Sequence, residues 1–107
     1  MIYLTLMVVQ LFIEWDNPVD DDRMAKYREF TRDSTYWPDQ VRIGAVERYS
    51  TWADSTSSRH IIALFEFKDW AKLAEVMGSK KYQDGARAFS YMVDNLSYRL
   101  LRPTVPA

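Results

Sequence analysis

The chain begins on an almost unbroken apolar run. From Ile2 to Glu14 it is dense in Leu, Val, Ile, Phe and Tyr and contains neither Gly nor Pro, a pattern that predicts a strand. Alternation splits the run into two sets, Ile2, Leu4, Leu6, Val8, Gln10 and Phe12 against Tyr3, Thr5, Met7, Val9, Leu11 and Ile13. Both are mainly apolar, which predicts a strand covered on both faces. The period then changes. Asn17-Pro18 reads as an N-cap and first helical residue, and Asp20, Asp21 and Asp22 suit the positive end of a helix dipole. Met24, Tyr27, Phe30 and Thr31 recur at helical spacing to about Ser34. Tyr36-Trp37-Pro38-Asp39 is expected to break that helix, because proline disfavours helical dihedrals in the residue before it.

Two further strands are predicted, Val41 to Trp52 and His60 to Phe67, joined as a hairpin by the polar loop Asp54 to Ser58. In the second, Ile61, Ala63, Phe65 and Phe67 face one side, and Ile62 and Leu64 the other. Asp69 is placed to cap a helix carrying Trp70, Leu73, Ala74 and Met77, and Gly78 suits a left-handed exit. Ser79 can cap the next helix, in which Tyr82, Ala86, Phe89 and Val93 recur to about Asp94. Leu96 to Leu101 reads as a last strand stopped by Pro103, with Thr104 to Ala107 a tail. The order strand, helix, strand, strand, helix pair, strand is the ferredoxin-like split βαβ pattern: an α+β class, one domain over residues 1–107, with a four-stranded antiparallel sheet. Helices cover one face of such a sheet, and an apolar second face needs another cover. A symmetric homodimer through the sheet faces is the expectation.

Composition narrows the function. A balance of 14 basic and 15 acidic residues gives no positive field for nucleic-acid phosphate. No cysteine means no disulfide, thiolate nucleophile, Cys-zinc site or iron–sulfur cluster, which suits a reducing, cytoplasmic setting. The apolar opening has its first basic residue only at Arg23 and is shorter than the roughly 20 apolar residues of a membrane helix, so neither a secretory leader nor a membrane span is expected. Gly44, Gly78 and Gly85 stand singly, so no phosphate-cradling loop forms, and no nucleophile elbow is present. The Asp20–Asp22 run lacks the spacing of a calcium loop.

The stretch from His60 to Pro103 carries a resemblance. Leu64-Phe65-Glu66-Phe67-Lys68-Asp69-Trp70 runs from strand into a short helix, Ser79-Lys80-Lys81-Tyr82-Gln83 opens a longer one, and Asp94-Asn95-Leu96-Ser97 turns into a strand ending Leu101-Arg102-Pro103. In these features the chain resembles the dimeric α/β barrel superfamily, which includes antibiotic-biosynthesis-type monooxygenases and EthD-like proteins. The resemblance implies a ferredoxin-like subunit and a barrel-forming dimer. Members range from cofactor-independent oxygenases and haem-degrading enzymes to isomerases, dehalogenating enzymes and proteins without known activity, so it implies architecture more than chemistry. No catalytic set of the superfamily matches position by position.

Candidate chemistry therefore rests on individual residues. His60, the single histidine, is a candidate general base or haem ligand, against the reading of a strand-end histidine open to water. Glu66 is a candidate carboxylate of raised pKa, against simple pairing with Arg or Lys; alternation puts it on the same side as His60 but out of direct reach. Tyr36 and Trp37, with Tyr49 and Trp52, are candidate walls for an apolar ligand, against plain core plugging. Arg42, Glu47, Arg48 and Arg99 could hold a carboxylate or enolate, or form cross-strand pairs. The leading expectation is a small apolar or aromatic molecule in a pocket between sheet and helices. No cofactor is called for, and the chemistry would be that of a cofactor-independent monooxygenase or isomerase, with His60 or Glu66 handling protons. The alternatives are a non-catalytic metabolite-binding or assembly module, and haem binding through His60.

Overall fold

A computed structural model describes residues 8–104. The elements are β1 (Val9–Asp16), α1 (Asp21–Asp33), α2 (Tyr36–Arg42), β2 (Arg48–Ala53), β3 (His60–Phe67), α3 (Trp70–Met77), α4 (Lys80–Met92) and β4 (Asp94–Leu101). The sheet is antiparallel throughout in the order β2-β3-β1-β4. This is the ferredoxin-like arrangement expected from the element order. The portion of the first strand read at residues 2–7 lies outside the described residues.

Several boundaries move, each for a local reason. Helix α1 starts after Asp20 rather than Asn17, because the Asp20 carboxylate accepts from the Arg23 backbone N–H at 3.0 Å. Asn17 is used elsewhere: its backbone N–H donates to the Arg59 carbonyl at 2.9 Å. The expected break at Tyr36–Asp39 is instead α2. Thr35 is its N-cap, so Pro38 falls in the first turn, where a missing N–H costs no intrahelical bond. The strand expected from Val41 therefore begins only at Arg48, after a reversal in which Gly44 takes a φ of 81°. Gly78 ends α3 as expected, yet its φ of −81° is right-handed, not left-handed. The last strand starts at Asp94, two residues early, with Asn95 at a φ of 54° beside a register shift.

The core lies between the sheet and the helices. Val9, Leu11, Ile13 and Trp15 of β1 and Ala63, Phe65 and Phe67 of β3 are buried there, against Leu73 and Val76 of α3. Register pairs Leu11 with Phe65 and Ile13 with Ala63, so one face of both strands is committed to the core. Among the described residues no helix covers the opposite face. Its central band is apolar, with Phe12, Ile62, Leu64 and Trp52 side by side through the pairs Phe12–Leu64 and Trp52–Ile62. Its ends are more polar than the alternation suggested: Gln10, Glu14 and Asp16 share this face of β1. An ion cluster ties the edges together. Asp94 at the start of β4 accepts from Arg23 of α1 at 2.8 Å and from Arg59 of the β2–β3 loop at 2.7 Å. No helix among the described residues is long and apolar enough to cross a membrane.

Candidate functional site

Between the sheet and helices α1, α2 and α4 opens a cleft of about 700 Å³. Its floor is the covered sheet face, with Ile13 and Trp15 from β1, Tyr49 and Thr51 from β2, Ile61, Ala63 and Phe65 from β3, and Tyr98 from β4. Tyr27 and Phe30 of α1 form one wall, Tyr36 and Trp37 of α2 another, and Tyr82, Gly85 and Phe89 of α4 a third. The aromatic rings brace one another. Trp37 packs on Phe65 with centroids 4.0 Å apart, Tyr36 meets Trp37 edge-on at 5.0 Å, and Phe89 meets Trp15 edge-on at 4.9 Å.

Gly85 stands in the middle of α4, where an alanine would be favoured by about 1 kcal/mol. A Cβ built there meets nothing within 4 Å, so the missing side chain is volume given to the cleft. The polar groups are mostly phenols. Tyr27 OH accepts from Trp15 Nε1 at 3.3 Å, which leaves the phenol proton to be donated onward. Burial pushes the Tyr27, Tyr82 and Tyr98 hydroxyls above the usual phenol range; for Tyr82 the neighbouring Tyr98 and Tyr36 add to it. These groups are neutral donors, suited to a carbonyl or phenolic oxygen. The described lining contains no Asp, Glu, His or Arg, and its one formally charged side chain is Lys81.

The expected site residues thus divide. Tyr36, Trp37 and Tyr49 line the cleft together, and Trp52 borders it while its register places it on the far face, its indole N–H donating to Ser50 Oγ at 3.0 Å. His60 and Glu66 are not among the lining residues. Both lie on the uncovered face, opposite Asp16 and Gln10 respectively, about 20 Å apart along the strand at the usual rise per residue. His60 and Glu66 therefore face away from Tyr36 and Trp37, with the sheet between them.

His60 is held between two carboxylates, Nδ1 at 2.8 Å from Asp16 Oδ1 and Nε2 at 3.0 Å from Glu14 Oε1. The Asp16 contact first, then the Glu14 one, raises its pKa and favours the doubly protonated ring. Neither nitrogen is left free for iron without breaking one of these contacts, so the geometry speaks against the haem reading. Asn95 donates to Asp16 at 2.8 Å and Arg99 pairs with Glu14. Glu66 is paired with Arg48 and accepts from Gln10 at 3.1 Å, and Arg48 holds its pKa below the usual carboxylate value rather than above it. Arg48 and Arg99 thus serve cross-strand pairs, whereas Arg42 lies in α2 and pairs with Asp39 at 3.3 Å. Among the described residues no group of His and carboxylates is arranged to hold a metal ion.

Sequence reasoning missed Tyr27, Tyr82, Gly85 and Phe89 as cleft residues because helical apolar positions look the same whether they touch core or cavity. The mid-helix glycine was the available signal.

No protein-family model matches the chain, and no curated protein sequence matches it. Solved structures do. SnoaB, a cofactor-independent oxygenase from Streptomyces nogalater, in its N63A mutant, superposes with a TM-score of 0.71 at 9% identity over 92% of this chain and 94% of its own. A candidate antibiotic biosynthesis monooxygenase from Deinococcus radiodurans gives 0.70 at 10% identity over 94% and 96%. A dimeric protein of unknown function and ferredoxin-like fold from Bacteroides fragilis gives 0.64 at 7% identity over 90% and 96%. At such identities the likeness is one of backbone: the chain has the ferredoxin-like α+β fold that these structures share.

Proposed function

We propose that the chain works as a homodimer closed through the uncovered sheet faces, and that each subunit's cleft receives a small apolar or aromatic molecule for cofactor-independent monooxygenation or isomerisation. The observation that carries the ligand reading is the aromatic-walled, roughly 700 Å³ cleft, a size that suits a small organic molecule. Oxygenase chemistry without a cofactor draws its electrons from the substrate, so it suits molecules that enolise or ionise readily. Neutral phenol donors at Tyr27, Tyr82 and Tyr98 would stabilise the resulting oxyanion. The monooxygenase descriptions of two structural neighbours lend support to this choice of chemistry.

A second reading, a non-catalytic binding module, is favoured by one specific observation: the described cleft lining supplies no imidazole or carboxylate to move a proton. The test takes 1-naphthol as probe, with tryptophan fluorescence for binding and an oxygen electrode for turnover. Wild type should bind saturably, and Gly85→Leu should weaken binding at least tenfold while circular dichroism stays native. Equal binding by Gly85→Leu would contradict the cleft as the site. Binding of a panel of phenols and enolisable ketones with no oxygen uptake and no isomerised product would favour the binding module.

A further inference from the structure

We propose that Lys81 makes the cleft selective for a carboxylate-bearing ligand, with the aromatic body among the rings and the anionic end at the N-terminal turn of α4. The inference rests on the cleft reading above and adds the charge of what enters. Lys81 and its neighbour Lys80 occupy the first turn of α4, which carries no acidic residue. That position is unfavourable for a cation, because the exposed N–H groups and the helix dipole already make this end positive. Lys80 is compensated by Asp84, one turn on, at 2.6 Å. Lys81 has no such ion pair: Asp84, three residues on, is engaged by Lys80, the residue four on is Gly85, and no described carboxylate lies within ion-pair distance of it.

Its ammonium instead stands 5.9 Å from the centroid of the Tyr36 ring, beside a cleft wall. The one formal charge on an otherwise neutral, aromatic lining is therefore a cation placed against the local helix preference, with no carboxylate partner among the described residues. A ligand carboxylate at this mouth would supply the partner and would also be favoured by the helix end.

The test compares 2-naphthoate with 2-naphthamide, which matches it in shape and lacks its charge, by titration calorimetry near neutral pH at low salt. Wild type should bind the carboxylate roughly five- to tenfold more tightly than the amide, as one partly exposed charge-assisted contact provides. Added salt should erode that preference. Lys81→Met should cut the preference to the small part that the helix end supplies, about twofold or less; Lys81→Arg should retain it. Equal affinity for the two probes in wild type, or a preference undiminished in Lys81→Met, would overturn the role of Lys81 while leaving the cleft in place. Failure of both probes to bind would overturn the cleft reading and this inference together.

Discussion

Leu64→Asp tests the dimer where the uncovered face is most apolar. Leu64 lies opposite Phe12 on β1 and Ser50 on β2, at the centre of that face, and is half-buried in the single subunit. Full burial of a leucine contributes about 1.5–3 kcal/mol, so the part still open to water is about 1 kcal/mol for association. An aspartate forfeits that and adds at least about 1 kcal/mol for desolvating an unpaired carboxylate. In a two-fold dimer each change occurs twice, so the penalty is about 4 kcal/mol, or roughly a thousandfold in Kd. Light scattering on a sizing column at about 20 µM reads the outcome, since micromolar and tighter dimers are populated there. Wild type should elute at twice the chain's 12.7 kDa, and Leu64→Asp, with native circular dichroism, should dissociate to monomer at roughly thousandfold higher concentration across a dilution series. A wild-type monomer, or a Leu64→Asp dimer that dissociates no more readily than wild type on dilution, would refute the reasoning.

The His60 cluster should give stability a defined pH window. The folded pKa of His60 is raised above 6.5, so its contribution is full below about that pH and is lost as pH rises through the raised value. Glu14 and Asp16 are lowered from 4.5 and 3.8, so theirs is present above those values and is lost as pH falls. The Tm advantage of wild type over His60→Asn should therefore be largest between about pH 4.5 and 6.5 and shrink toward alkaline pH; an advantage that grew with pH would contradict the assignment. Trp37→Ala should lose about 2–3 kcal/mol in urea denaturation, below the ~3–5 of a fully buried tryptophan because the ring is half-buried at the cleft. Gly85→Ala should stabilise by about 0.5–1 kcal/mol in the same assay, and destabilisation would mean that the position is crowded.

The sequence made the architecture legible because strand and helix periods are strong where apolar residues are dense. His60 to Phe67 reads cleanly, since Ala63, Phe65 and Phe67 alternate against Ile62 and Leu64, and the structure keeps that division. Boundaries set by single hydrogen bonds were less legible: Asp20 rather than Asn17 caps α1, and Pro38 sits inside a helix that begins only two residues earlier. The candidate site was half visible. Tyr36 and Trp37 stood out as aromatics at an element end, but that His60 faces away from them follows only once the packing shows which face of β3 the helices cover. Lys81 was hidden for a different reason, because an exposed lysine is ordinary until its helix end and its missing counter-ion are seen together.

The division of labour between the two sheet faces is tested most directly by a 1H–15N correlation spectrum recorded during a 1-naphthol titration. Shifts should be confined to the cleft side, at the indoles of Trp15 and Trp37 and the amides of Tyr36, Tyr82, Gly85 and Phe89, with His60 and Glu66 unmoved. Shifts centred on His60, Glu14 and Asp16, with the cleft silent, would contradict that division.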